Sequence, residues 1–476
     1  MTRATVVTLL VTVVVLSATG VTALPSRAPR QTLLSDIINT LLSTSTSSAN
    51  MQDTGALGKK AGYHVEDHTV VTEDGYILTI HHLSPYANPA RRSITIRKNK
   101  RDPYINVTFS ASVNQQGNAF GPEVPGKVEN KWRSEDNGEI HTQDTSLIRN
   151  KVVFLQHGLM GSSDNWNTNT EEDSLAYLLS DAGYDVWMGN FRGNIYSRKH
   201  MNFTHNDPHF WRFSYDEMAH YDLPAMLDYV ILQTGVEKLH YLGHSMGTTV
   251  FFALMSSQPE YQQKIASMIA LAPVATVTSI SSPIKYLAPL VNELQFVLRL
   301  FGNDQDLMTN RLLISLWDPY RVCRSHTFCE NLQFIITGFD PSRADQGMVP
   351  IILSHNPAGA STQTLFHFAQ GFNSGRFQNF DWGKKKNLLH YGQIEPPEYD
   401  VTKIKVPITM FWANNDWLAG EKDVHHLEKQ LPHLQACYKV PNPMFSHLDF
   451  LWATDARSLV YEKVFEVLDI AVKKYQ

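Results

Sequence analysis

The chain has 476 residues, 43% hydrophobic and 18% charged, enough apolar material to bury a large core. Its formal net charge is -5 with no long basic tract, which argues against a nucleic-acid partner, and the short cationic cluster Arg91 to Arg101 reads as a solvated loop. With only three cysteines it is no disulfide scaffold: Cys323 and Cys329 are the candidate local pair, Cys437 is left over, and redox or metal chemistry through cysteine is not indicated.

Residues 1–23 carry Arg3, the apolar run Val6 to Leu16 and the small-residue site Val21-Thr22-Ala23, the pattern of a signal peptide. That run is short for a membrane span, and no later segment has ~18 uninterrupted apolar residues, so no transmembrane anchor is expected. A lumenal or secreted destination follows, and in that compartment the sequons at Asn106 and Asn202 become glycan acceptors. Residues 24–61, polar around one short amphipathic piece, are expected to be a mobile leader.

From Gly62 the pattern becomes regular. Tyr63 to Val71 and Tyr76 to Ile80 flank Glu73-Asp74-Gly75 and predict a β-hairpin. His64 and His68 flank Glu66 there, but this is not H-E-x-x-H on a helix, so they read as hairpin surface residues rather than zinc ligands. Residues 84–147 are polar and rich in Asn, Gln, Gly and Pro, and read as a loop insertion. Lys151 to Leu159 is a buried strand ending in a glycine turn, Ser174 to Ala182 a helix, Gly183 to Asn190 a strand. Asp216 to Thr234 is a helix stopping at Gly235.

Lys238 to Val250 then reads as strand, G-x-S-x-G elbow and helix, a geometry that lifts the Ser245 hydroxyl above the sheet edge. Ile265 to Pro273 supplies another strand. Strands alternating with helices predict a mostly parallel, doubly wound sheet. Residues 279–395 break the alternation with apolar helical stretches such as Ile284 to Phe301, the pattern of an inserted helical cap. Alternation resumes over 396–476, with a strand at Val406 to Ala413 and a last helix at Ser458 to Val472.

A serine nucleophile needs an imidazole to take its proton and a carboxylate to orient that imidazole. Asp416, just past the strand ending at Ala413, is the candidate acid; Asp423 suits a helix N-cap instead. Four histidines follow Asp416. His425 and His426 fall at a helix start and His433 in a polar turn, while His447 lies in a loop before the final helix and is the candidate base. Asp449, two residues on, is expected to orient that loop. The backbone amides of Met246 and Leu159 are the candidate oxyanion donors, and His157 is expected to be structural.

Many short motifs agree in order: Gly62-Tyr63 to Tyr76, Gln156-His157-Gly158-Leu159, Asn190-Phe191-Arg192-Gly193-Asn194, Phe210-Trp211-Arg212-Phe213-Ser214, Gly243-His244-Ser245-Met246-Gly247, Asn415-Asp416-Trp417-Leu418-Ala419 and His447-Leu448-Asp449-Phe450. In these the chain resembles the acid lipases, the animal gastric and lysosomal lipases, from about Gly62 to its end. Met246 stands where well-known members carry glutamine, and the 84–147 insertion is longer than the family's usual connection. The resemblance implies an α/β-hydrolase fold with residues 62–278 and 396–476 as core and 279–395 as helical lid. It implies Ser245, Asp416 and His447 as a triad and hydrolysis of neutral lipid esters through an acyl-enzyme, without metal or cofactor, on lipid at a lipid–water interface. A carboxylesterase or sterol-ester hydrolase, and a non-catalytic lipid-binding protein, are the alternatives.

Overall fold

The computed structural model describes residues 53–85, 151–286, 288–290, 337–338, 343–345 and 347–474, and the backbone of 94–97 and 106–109. The expected signal peptide, Cys323, Cys329, most of the 84–147 insertion and much of the 279–395 cap lie outside them. The stretch expected as a leader ends in a helix, α1 (Thr54–Lys60). Asp53 caps it through Ala56 N, 2.7 Å, and buried Thr54 bonds Asp164 and lies 3.2 Å from Ser163 Oγ. Packing on the core therefore begins at residue 53, ahead of the expected boundary at Gly62.

The hairpin forms as its Asp-Gly turn requires: β1 (Tyr63–Val71) pairs antiparallel with β2 (Tyr76–Pro85). Inside the insertion, β3 (Ile94–Arg97) and β4 (Asn106–Phe109) form a separate two-stranded ribbon, so Asn106 opens a strand. Then come β5 (Val152–Gln156), α2 (Leu175–Asp181), β6 (Asp185–Gly189) and β7 (Lys199–His200). Next are α3 (Leu223–Thr234), β8 (Leu239–His244), α4 (Met246–Ser257) and β9 (Ile265–Leu271). The helix expected from Asp216 opens with a separate turn at Tyr215–Glu217 and a wider turn over Met218–Asp222 before α3 runs to Gly235.

Within residues 279–395, expected as a cap, α5 (Val349–His355), α6 (Thr362–Ser374) and α7 (Lys384–Tyr391) are helices. The apolar stretch expected as a helix from Ile284 instead starts with 3-10 turns at Pro283–Tyr286 and Ala288–Leu290, where Pro289 lacks the amide an α-helix would use. The chain ends in β10 (Ile408–Trp412), α8 (Glu421–Gln430), β11 (Leu434–Lys439), α9 (Asp449–Trp452) and α10 (Glu462–Lys474).

These strands make one nine-stranded sheet in the order β1-β2-β6-β5-β8-β9-β10-β11, with β7 on β2. From β6 to β11 every neighbour is parallel, and the hairpin adds two antiparallel strands at one end. β5, β8, β9 and β10 are buried along their whole length because helices cover both faces, hence their unbroken apolar runs. One apolar cluster, around Phe154, Tyr241, Phe251 and Met226, fills the α3/α4 face; another, around Leu155, Leu242, Tyr177 and Tyr461, fills the α2/α10 face. All the parallel strands point their C-terminal ends at one rim, where open α/β sheets place ligands.

Candidate active site

At that rim β8 turns sharply into α4 through Ser245, which sits at φ 53° and ψ -120°. Such a backbone costs a non-glycine residue on the order of 1–3 kcal/mol and persists only where its surroundings enforce it. Here Ser245 N donates to Leu271 O of β9 at 3.1 Å, and Thr248 Oγ1 donates to Ser245 O at 2.7 Å. The motif's second glycine is dictated by crowding: a Cβ on Gly247 would lie 2.5 Å from Gln156 O and 2.9 Å from His157 O. On the other side, a Cβ on Gly158 would lie 3.0 Å from that of Ser245, so only glycine lets the β5 turn reach the elbow.

The three residues picked out from the sequence meet here across some 200 positions. His447 Nε2 lies 2.8 Å from Ser245 Oγ, and His447 Nδ1 lies 2.8 Å from Asp416 Oδ2. Asp416 Oδ1 accepts the amides of Leu418 (2.9 Å) and Ala419 (2.7 Å), leaving Oδ2 for the imidazole. Asp449 Oδ2 takes the Ser446 amide at 2.6 Å and faces Arg343 Nε at 3.6 Å, holding the His447 loop. His425 Nδ1 lies 2.7 Å from Glu428, away from the serine.

The Met246 amide begins α4 and has no acceptor among the described residues; Leu159, half-buried, stands in the adjoining turn. His157 holds that turn. Its Nδ1 donates to Gly158 O at 2.8 Å, and its Nε2 accepts Phe191 N and Asn194 Nδ2, both at 3.2 Å. Burial pushes this imidazole down to about 4, so it is neutral and serves as a strut.

Two supports gave no signal as such in the sequence. His244, inside the elbow motif, donates from Nε2 to His447 O at 2.9 Å, and burial, then the nearby His447, hold its pKa far below the ordinary range. Asp423 is not a cap, since Gly420 occupies that position of α8; its carboxylate accepts Thr276 Oγ1 (2.9 Å), Thr278 Oγ1 (2.5 Å) and both Ser279 N and Oγ (2.6 Å each). Burial would raise this carboxyl, but the Ser279 and Thr278 donors outweigh it and lower it. Asp423 thereby pins residues 276–279 to α8. Further on, Ser281 N and Ser282 N donate to Trp417 O, and Trp417 N to Thr337 O, tying two points of the 279–395 stretch to the Asp416 loop.

A serine, imidazole and carboxylate in hydrogen-bonded series at the C-terminal rim of a parallel sheet is the arrangement of the α/β-hydrolases. The family model described as alpha/beta hydrolase fold matches residues 151–454, and one described as a partial alpha/beta-hydrolase lipase region matches residues 54–118. The gastric triacylglycerol lipase of Bos taurus is 42% identical over 330 residues, 68% of this chain and 81% of that protein. The gastric triacylglycerol lipase of Homo sapiens is 37% identical over 425 residues, 86% of this chain and 88% of the relative. The lysosomal acid lipase/cholesteryl ester hydrolase of Homo sapiens is 41% identical over 330 residues, 68% of this chain and 80% of the relative. The chain belongs to the acid lipase family, the gastric and lysosomal lipases, which are carboxylic ester hydrolases of the α/β-hydrolase fold.

Proposed function

We propose that this chain is a lipase cleaving neutral lipid esters, triacylglycerols first, through an acyl-enzyme on Ser245. The observation that carries the proposal is the continuous series Ser245 Oγ, His447, Asp416, with 2.8 Å at each link. His447 Nε2 takes the Ser245 proton as Oγ attacks the ester carbonyl, and Asp416 stabilises the imidazolium that forms. The Met246 and Leu159 amides take the charge that develops on the carbonyl oxygen, an interaction whose loss costs on the order of 3 kcal/mol. His447 then protonates the departing alcohol, and water attacks the acyl-enzyme by the same route in reverse.

Two gastric relatives named for triacylglycerol and one lysosomal relative named for cholesteryl ester support a long-chain ester substrate taken from a lipid–water interface. The same relatives support a secretory-pathway destination, extracellular or lysosomal. Asn202 is exposed, as a glycan acceptor must be, and no helix of the described residues is long and apolar enough to cross a membrane. Residues 279–395 are proposed as the lid that admits acyl chains.

The test is hydrolysis by the purified mature protein between about pH 4 and pH 8, the range in which a catalytic histidine titrates. Triacylglycerol emulsion, sterol ester and a short soluble ester are compared, with Ser245→Ala as control. Emulsion turnover that disappears in the variant is expected. Turnover of the short ester alone would make the protein a carboxylesterase, and turnover unaffected by the substitution would remove the serine mechanism.

A further inference from the structure

The hairpin at the far end of the sheet carries a second cluster of chemistry, apart from the catalytic rim. Glu66 pairs with His82 across β1 and β2, and His68 stands two residues along β1 on the same face. His82 in turn pairs with Trp187 of β6, and Asp185 is two residues before it on that face. His68 Nε2 lies 3.6 Å and His82 Nδ1 3.8 Å from one oxygen, Glu66 Oε2. One donor atom from each of the three residues falls within 4.8 Å of the others.

What distinguishes this cluster from a surface ion pair is how each imidazole is held. His82 Nε2 lies 2.6 Å from Asp185 Oδ1, and His68 Nδ1 lies 3.0 Å from the Tyr229 hydroxyl of α3. In both rings the outer nitrogen is engaged and the inner one is turned toward Glu66. His68 Nε2 is buried and has no hydrogen-bond partner, an orphan that a structure normally avoids. Both rings are further fixed against Trp187, His82 stacked at 4.2 Å and His68 tilted at 4.8 Å. The other Glu66 oxygen has His64 Nε2 at 3.3 Å. A carboxylate or hydroxyl on the far nitrogen of each imidazole is the outer-shell pattern of histidines that ligate metals. Ligand atoms on a tetrahedral zinc ion, at bonds of 2.0–2.1 Å, stand about 3.4 Å apart, close to the two spacings found around Glu66 Oε2.

We propose that Glu66 Oε2, His68 Nε2 and His82 Nδ1 bind one Zn²⁺ ion, with water completing a tetrahedron on the half-exposed Glu66 side. Two imidazoles and one carboxylate suit zinc over calcium or magnesium, which take oxygen ligands. The ion's work is structural. Asp185 opens β6, whereas Ser245 follows the end of β8, and both strands run parallel to β5, so the two sites face opposite rims. The ion ties β1 to β2 directly, and through Asp185 and Tyr229 to β6 and α3.

The experiment uses the full mature protein, stripped with a chelator, dialysed and titrated with Zn²⁺ at neutral pH by calorimetry, with metal content and thermal midpoint measured in parallel. One ion per chain and a rise in midpoint on loading are expected, with Ser245-dependent hydrolysis of a soluble ester the same before and after. His68→Ala and Glu66→Gln should abolish the stoichiometric site, and Asp185→Asn should weaken it about tenfold or more. Glu66→Gln changes a half-exposed side chain and so guards against loss of the fold, which retained ester hydrolysis confirms. Absence of stoichiometric uptake by the wild-type chain, or uptake unchanged in folded Glu66→Gln and His68→Ala, overturns the proposal.

Discussion

Asp416 divides its two oxygens between jobs: Oδ1 closes a turn with the Leu418 and Ala419 amides, and Oδ2 receives His447 Nδ1. Asp416→Asn leaves the turn its acceptor but presents an amide N–H to the imidazole. The ring must then keep its proton on Nε2, where it cannot accept one from Ser245. Asparagine there should fold normally and lower kcat about 10⁴-fold with little change in KM, measured on a soluble ester. His244 acts through His447 rather than on substrate, by clamping the carbonyl of that residue at 2.9 Å. Its location inside the elbow motif was visible in the sequence; its partner, 203 positions away, was not.

At the scale of elements, the joint between β6, the hairpin and α3 depends on one buried cation. Arg192 donates from Nε to Asp222 Oδ1 at 2.8 Å and from its terminal nitrogens to Asp74 at 2.6 and 2.9 Å, while its guanidinium lies 3.8 Å from the Tyr76 ring centroid. Arg192→Met would leave the fully buried Asp222 without its counter-charge, and urea unfolding should register a loss of about 3–5 kcal/mol. The crossing between β5 and the elbow is tight for a different reason. Gly247→Ala sets a methyl against the Gln156 and His157 carbonyls, which are backbone and cannot rotate away. A stability loss of about 1–3 kcal/mol is expected, together with a fall in kcat, since the displaced turn carries the Leu159 amide.

At the scale of the whole molecule, His157 and the pair Asp216 and Glu217 push the pH dependence of stability in opposite directions. His157, held at about 4 by burial, takes up a proton more readily when unfolded. Its contribution is complete above the unfolded value near 6.5 and is lost as pH falls toward 4; between pH 7 and pH 5 that is about 2 kcal/mol. Asp216 and Glu217 lie side by side, largely out of water, and that desolvation first, then for Glu217 the charge of Asp216, raises their carboxyls. Here the folded state binds protons more readily, so their contribution grows as pH falls below neutrality and opposes the histidine loss. Glu217 Oε2 accepts the Ser214 amide at 2.6 Å, a bond a glutamine oxygen can keep. Glu217→Gln should therefore lose more stability than the wild type on going from pH 7 to pH 5, by about 2 kcal/mol, as denaturation at the two pH values would measure. An equal slope in both proteins would show that this carboxylate is not the compensating group.

The sequence by itself carried what is local. The elbow around Ser245, the apolar strands, the hairpin at Asp74-Gly75 and the helix stop at Gly235 are each set by a few neighbouring residues, and the structure shows these elements near the expected positions. The half-exposed edge strand β11 and the wide turn at Met218–Asp222 escaped notice because neither has a distinctive apolar period. Tertiary structure alone decided which side chains meet across the sheet. It set His157 between the β5 turn and Asn194, and made Asp423, expected as a helix cap, an anchor for residues 276–279. It also brought His68 and His82 onto one Glu66 oxygen. Strand register and helix packing join residues scores to hundreds of positions apart, and neither spacing nor composition along the chain encodes that meeting.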